Sequence, residues 1–443
     1  MKIVTSYKVK IKGHNKIFED TLAIYREALA YLIAVVGSVW KDIPHKLSLS
    51  GQTMHVEKLV HSTSKRVADY DFDEKFYKLP SYLRRAAISE AIGIASSYRS
   101  NLANWHKSGK KGKEPSFQTK HYAFPALFGG NMYVRLDDYT AKIKIFHKND
   151  WVWLTVSLRK SDADYILRHK AESHEMSPAL LKKGKNWYLR FAFVDRRALA
   201  DKIEVITAVD LGINNPATCT AMLQDGTIIG RKIIRFPVEQ DQLEHKTNKI
   251  KKAQKAGAKK TPRLWSYANN WNRALSEKTA NAIIEFAKSY NSDAIVVEHL
   301  DFQGKKRGSK KQRLHLWRKK AVIAMVTCKA HLLRMRISTV NPRNTSRLAF
   351  DGSGPVERGK YMQDGVESEN YGICVFATGK IYHADLNASY NIGARYFIRE
   401  ILKTLPETVR LDIEAKAPRL SKRTTCTLSD LISLDAELKR LAA

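Results

Sequence analysis

Three acidic residues stand where local sequence could put them to chemical use. Asp210 closes an apolar, strand-like run (AVDLG), Glu298 closes a second (IVVEH), and Asp385 opens a helical one (HADLNASYNIG). They lie far apart in the chain, so only the fold can bring them together. Two strand ends in one mixed sheet, with a helix N-terminus above them, would do so. Clustered carboxylates repel one another unless a hard cation holds them. Two Mg²⁺ ions about 3.5–4 Å apart, bridged by such carboxylates, are an established apparatus for cutting a phosphodiester: one activates water, the other stabilises the leaving 3′ oxygen. Each residue also has a plainer reading. Asp385 reads equally as a helix N-cap, and Asp210 and Glu298 as strand ends that hydrogen-bond a loop. The three in strand, strand, helix order carry more than any one alone. Gly212, just past Asp210, leaves room for a backbone or a phosphate to approach closely.

The elements that must position these residues follow from the hydrophobic pattern. Residues 2–12 alternate apolar and polar and read as a strand. Over 21–40, 53–70 and 82–106 apolar residues recur at three- and four-residue spacing and predict helices, the last started by Pro80 and Ser81. A basic loop, 107–115 (KSGKKGKEP), precedes β-like runs at 132–136, 142–146, 151–157 and 187–194. Near Asp201 the texture changes. Strands are expected at 203–211, 217–223 and 227–234, the last two joined at Asp225-Gly226. A long helical region (239–290), a buried strand (294–298), a second helical region (312–335) and a short strand (337–340) follow. Residues 341–383 are irregular, 385–403 form a strong helix, and from 405 the chain reads as a polar, loosely helical tail. The fold class is α+β and multidomain, divided near residue 200.

Composition narrows the partners. The chain has 443 residues, 44% hydrophobic and 27% charged, which suits a folded protein with two or more cores and excludes a disordered or collagen-like one. Its 77 Lys and Arg against 44 Asp and Glu give a net charge of +33, which calls for a polyanion. Nucleic acid comes first and an anionic membrane surface second. The longest apolar stretch, 28–36, falls short of the ~20 residues a membrane span needs, and no signal-peptide pattern opens the chain, so a soluble intracellular protein is expected. Four scattered cysteines (Cys219, Cys328, Cys374 and Cys426), with no CxxC, argue against a disulfide framework and an autonomous four-cysteine zinc site.

Two basic runs are candidate phosphate contacts. Residues 246–263 carry eight basic and no acidic side chains, and 305–320 carry nine and none. Either could be a solvated helix face; the net charge favours phosphate. Lys251, Lys252, Lys305, Lys306, Arg307, Lys310 and Lys311, with Arg343, are the candidate nucleic-acid contacts. Trp265, Tyr267, Trp271 and Trp317 could stack bases, although their helical spacing favours core packing.

The segments VDLGINNPAT, IVVEHLDF and HADLNASYNIGARYF resemble the three RuvC-type (RNase H-like) motifs of the TnpB family. These are RNA-guided nucleases of transposons, related to compact type V CRISPR effectors. LPSYLRRAAISEAIGIASSYRSNLANW and YAFPALFGGNMY resemble the region before that family's wedge strands. The resemblance spans most of residues 1–400, most firmly from Ile206. It implies a wedge β-barrel (1–14 and 116–200) with an inserted helical recognition domain (15–115), and a RuvC-like α/β nuclease domain (201–340 and 385–404). A zinc-ribbon-like insertion (341–384) and a C-terminal tail (405–443) complete the expected order. It further implies that Asp210, Glu298 and Asp385 bind two Mg²⁺ ions and catalyse. The partners would be a guide RNA and double-stranded target DNA with a short flanking motif, with no membrane, in the cytoplasm of a prokaryote at the nucleoid.

The insertion departs from the family. Ala349 and Gly352 stand where a first cysteine pair is expected, and Cys374 faces Ala377 where a second should be. One thiolate cannot hold a structural zinc, so none is expected. A metal-free remnant held by turns and by Phe350, Tyr361, Tyr371 and Phe376 is. Two other functions fit the same residues: a guide-directed DNA-binding repressor without cleavage, and a guide-independent RNase H-like recombinase or resolvase.

Overall fold

The computed structural model describes residues 1–13, 16–120, 122–299, 318–363 and 366–442. The chain forms two compact units, one of Lys2–Asp195 and one of Arg196–Ala443 with Met1.

In the first unit, strands β1 (Lys2–Lys12), β2 (Tyr133–Arg135), β3 (Thr140–His147), β4 (Asp150–Leu158), β5 (His174–Glu175), β6 (Ala179–Lys183) and β7 (Asn186–Arg196) form one sheet. Its order is β2-β3-β4-β1-β7-β5, with β6 also on β7. The wedge β-barrel that was expected is a curled half-barrel, whose pairing path stays open among the described residues. Helices α1 (Glu19–Ser38), α2 (Leu49–Val60), α3 (Phe72–Lys75) and α4 (Ser81–Lys107) precede β2, and α5 (Lys160–Lys170) follows β4. The apolar stripes of α1 and α4 (Leu29, Leu32, Ile33, Leu83, Ile88) share a core with Ile143, Ile145, Trp187 and Phe191 of the sheet. The helix expected over 53–70 is shorter, because after Val60 the chain turns at the Thr63–Arg66 bridge. By length and composition α1 could cross a membrane, which the sequence reading excluded. Half of it is buried inside this unit, as a core helix is.

The second unit centres on a five-stranded sheet. Strands β8 (Val205–Asp210), β9 (Ala217–Leu223), β10 (Ile228–Ile234), β11 (Ala294–Glu298) and β12 (Arg336–Val340) lie in the order β10-β9-β8-β11-β12. The first three form an antiparallel meander, and β11 runs parallel to both β8 and β12. One face of the sheet packs against α7 (Pro262–Ser289) and α8 (Lys319–Leu332), through Val209, Ile295 and Val297. The opposite face, with Ile206, Ala208, Ala294 and Val296, packs against α9 (Ala384–Thr404). Small residues permit that approach: a Cβ on Gly393 would stand 2.8 Å from Met222 Sδ and 3.3 Å from Ala208 Cβ.

The long helical region 239–290 is two helices. α6 (Pro237–Lys255) ends before Gly257, whose φ of +87° suits glycine, and Pro262 starts α7. The expected loose tail is also structured. Helices α10 (Glu407–Lys416) and α11 (Leu428–Ala442), with the chain between them, bury Ile413, Leu420, Cys426, Leu428, Leu431 and Leu434 against the α9 core. Their apolar spacing is short and interrupted by polar residues, which hid it.

Residues 341–383 contain a three-stranded sheet, β13 (Glu357–Gln363), β14 (Val366–Val375) and β15 (Ile381–His383), which leads straight into α9. Buried Ala349, Cys374, Phe376 and Ala384 form its small core, with Phe350 and Tyr382 against them. Phe350 meets Phe376, Tyr382 and Tyr390 edge-on at 5.1–5.3 Å, and Lys380 lies 4.9 Å above the Phe350 ring. Phe350 and Phe376 thus belong to the aromatic cluster that was expected, while Tyr371 is exposed. The Cys374 thiol donates to Tyr382 O at 3.4 Å, and burial pushes its pKa to about 11.

Candidate active site

Strand alternation decides where the acids face. Ile206 and Ala208 of β8 look to the α9 side of the sheet, and Asp210 follows in step. Ala294 and Val296 of β11 do the same, and Glu298 follows them. The two strands are parallel neighbours paired Ala294 with Ile206 through Val297 with Val209. Continuing that register by one residue sets Glu298 beside Asp210, on strands about 4.8 Å apart. On the other side of Asp210, β9 presents Thr218. Thr218, Asp210 and Glu298 therefore form a row across three strands, on one face.

Asp385 reaches this row from above. On α9, Gly393 sits over Ala208 and Met222, and Ser389 is hydrogen-bonded to Thr220 at 2.6 Å. One further turn back brings Asp385 towards Thr218 and Asp210, because four helical residues and two strand residues advance by similar lengths. Asp385 is not the N-cap of α9. That place belongs to His383, whose Nδ1 accepts from Asp385 N at 3.2 Å, leaving the Asp385 carboxylate for other partners. Asn215 takes one of them, donating Nδ2 to Asp385 Oδ2 at 2.7 Å. Asn215 Oδ1 in turn accepts from Arg235 Nε at 3.0 Å. Gly212 lets this loop close: its added Cβ would stand 2.7 Å from Asn215 O, so the close approach the sequence allowed is made by backbone.

The electrostatics agree with the geometry. Burial, then the charges of Glu298 and Asp385, push the Asp210 carboxyl well above the ordinary carboxylate range, with Arg358 pulling the other way. Burial raises Glu298 as well, against the Thr345 hydroxyl that donates to its Oε1 and the charges of Arg395 and Lys319. Burial lowers the His383 imidazole. Asn215, Thr218 and Arg358 were not singled out in the sequence, and Thr345 was given no role there. Asn215 lies inside VDLGINNPAT, and Thr345 flanks the insertion, so position beside a motif was the available signal.

Among the described residues, no three of His, Cys, Asp and Glu are set closely enough to hold a metal ion. The three carboxylates share a face and a field rather than a finished ligand shell. Their chemistry still fits a hard divalent cation, since all three donors are oxygen and two are raised by burial. The Thr218 hydroxyl fits it too, being buried beside Asp210 with no hydrogen-bond partner among the described residues. Asp210, Glu298 and Asp385 are the residues that would hold such an ion.

The other predicted contacts are dispersed. Lys251 and Lys252 are exposed on α6, and Arg343 is exposed in the loop after β12. Lys305, Lys306, Arg307, Lys310, Lys311 and Trp317 lie outside the described residues. Trp271 is half-buried and ties α7 to α6 through Nε1 to Glu239 O at 2.9 Å, whereas Tyr267 is exposed.

A family model described as the Aq_aa04 family matches residues 5–147, a span that contains none of the three carboxylates. A curated relative of Aquifex aeolicus (strain VF5), "Uncharacterized protein aq_aa04", is 43% identical over 58 residues. Those residues are 13% of this chain, which spans about a third (32%) of that relative. Among solved structures the chain is similar to that of a Cas12f1–sgRNA–target DNA complex, at 16% identity over 85% of this chain and 81% of the other, with a TM-score of 0.47. It is similar to the mini-RNA-guided endonuclease CRISPR-Cas_phi3, at 11% identity over 88% and 92% and a TM-score of 0.44. It is also similar to the AacC2c1–sgRNA binary complex, at 10% identity over 86% and 69% and a TM-score of 0.44. These likenesses are too distant to assign any residue.

Proposed function

We propose that the protein is an RNA-guided DNA endonuclease that cuts guide-matched DNA beside a short flanking motif, by Mg²⁺-dependent hydrolysis at a single RuvC-like site. One observation carries the nuclease part: Asp210 and Glu298 stand side by side on one face of parallel strands, with Asp385 at the helix end above them. The strand order, an antiparallel meander followed by two parallel strands, supports an RNase H-like reading. The guide is supported by the motif resemblance, and the polyanion partner by the net charge of +33.

When bound, Mg²⁺ would supply an acidified water for attack and positive charge for the leaving oxygen. The chain's own residues do the rest. Asp210, Glu298 and Asp385 would hold the ion, Asn215 orients the Asp385 carboxylate, and the buried Thr218 hydroxyl offers a bond to a water beside Asp210. Lys251 and Lys252 on α6 give phosphate contacts that position DNA without reading it.

The test is to purify the protein from cells carrying its native flanking DNA, sequence the RNA that survives a high-salt wash, and offer plasmid matching that RNA with Mg²⁺. A discrete RNA and Mg²⁺-dependent cutting support the proposal. Guided binding without cutting would favour the repressor, and cutting of branched DNA without RNA the resolvase.

A further inference from the structure

Helix α9 carries Asn387, Asn391 and Arg395 at four-residue spacing, all buried, so they form one polar stripe along the helix. The stripe bonds backbone. Asn387 Nδ2 donates to Leu348 O at 2.9 Å, and its Oδ1 accepts from Phe350 N at 2.8 Å. Asn391 Nδ2 donates to Thr345 O at 3.0 Å and Leu348 O at 2.9 Å, and its Oδ1 accepts from Leu428 N at 3.2 Å. Arg395 donates to four carbonyls: Asn341 at 3.1 Å, Arg343 at 2.7 Å, Thr424 at 2.9 Å and Cys426 at 3.0 Å. A buried guanidinium on neutral carbonyls is costly to desolvate. What it achieves is geometric: it grips two segments at once, the loop after β12 and the chain leading into α11.

That loop carries Thr345, itself buried. Its hydroxyl donates to Glu298 Oε1 and lies 3.0 Å from Pro342 O. With one proton and two acceptors, the carboxylate is the stronger claim, because a charge-assisted bond exceeds a neutral one. The loop does not need this hydroxyl for its own order, since Asn391 and Arg395 already hold its carbonyls. We propose that Thr345 is a positioning residue for Glu298, fixing one carboxylate oxygen and leaving the other for a divalent cation. The C-terminal segment 424–428 is then part of the site's support, through Asn391 and Arg395. The inference rests on the nuclease reading and adds to it a part of the chain that the sequence presented as a tail.

The test uses the full chain with its co-purified RNA and titrates Mg²⁺ by calorimetry, with thermal melting and cleavage measured alongside. Thr345→Val keeps the side-chain shape and removes the donor; Thr345→Ser restores it. The expected result is Mg²⁺ binding weakened about tenfold or more in Thr345→Val, recovery in Thr345→Ser, and little change in melting temperature. Arg395→Lys keeps the charge and loses the fork. It should weaken Mg²⁺ binding in the wild-type background and add nothing in Thr345→Val, as coupled residues do. Unchanged Mg²⁺ binding in Thr345→Val, failure of serine to rescue, or additive Arg395→Lys losses would overturn the inference. If Arg395→Lys does not fold, the Thr345 pair decides alone. Wild-type protein that binds no Mg²⁺ removes the metal site and this inference together. Wild-type protein that binds Mg²⁺ but does not cut removes the nuclease reading and leaves the Thr345 comparison decisive.

Discussion

Asn215 donates its side-chain amide to Asp385 at 2.7 Å across 170 positions of sequence. Arg235 holds the other end of the same amide at 3.0 Å, so its orientation is set from both sides. The loop after β8 thereby aims the carboxylate at the start of α9. Replacing Asn215 by Ala should slow guided cleavage about tenfold to a hundredfold while RNA-dependent DNA binding stays intact. Wild-type cleavage rates in Asn215→Ala would mean that the bond is idle.

Gly212 supports the same loop by having no side chain. Its Cβ would stand 2.7 Å from a backbone oxygen, which cannot swing aside as a side chain would. Gly212→Ala should therefore cost about 1–3 kcal/mol of stability and, by moving Asn215, reduce cleavage further than Asn215→Ala alone. Melting curves and single-turnover cleavage check this. A fully stable, fully active Gly212→Ala protein would show that the loop has slack.

The raised carboxyls predict how stability depends on pH in the metal-free protein. Unfolded Asp and Glu ionise near pH ~4, whereas Asp210 and Glu298 keep their protons to higher pH in the fold, because burial, and at Asp210 also neighbouring negative charge, disfavour ionisation. Above about pH 4 the folded state thus binds more protons than the unfolded one, and this contribution to stability is lost as pH rises through the folded pKa values. In EDTA, Asp210→Asn should melt above wild type by a margin that widens from pH 5 to pH 8. A margin that does not change with pH would contradict the assignment.

The exposed basic face of α6 should act through phosphate alone. Replacing Lys251 and Lys252 by Gln should weaken DNA binding similarly for every sequence and flatten the log–log salt dependence by about 0.9 per lost contact. An unchanged slope would return the run to a solvated face.

Which parts of this molecule were legible depended on whether their cause is local. The strands ending at Asp210 and Glu298 could be read because a buried parallel strand must be apolar throughout and stop where it turns polar. The face each acid takes then follows from strand alternation. Asn215, Thr345 and Arg395 could not be read, since each is an ordinary polar residue whose partners lie on elements distant in sequence. The break between α6 and α7 was legible in principle, at Gly257 and Pro262, but the helical periodicity on both sides masked it. The C-terminal leucines were missed because their burial depends on the face α9 offers them. The N-terminal barrel was expected from the family resemblance alone, because alternation reports that strands exist, not whether the first pairs with the last.

On the proposed mechanism Asp210 serves chemistry and not the fold. The direct measurement compares wild type and Asp210→Ala, each with guide RNA and matched DNA in Mg²⁺, for binding and for cleavage. The expected result is unchanged RNA-dependent binding with cleavage reduced on the order of a hundredfold or more. Cleavage at the wild-type rate, or loss of binding together with cleavage, would contradict it.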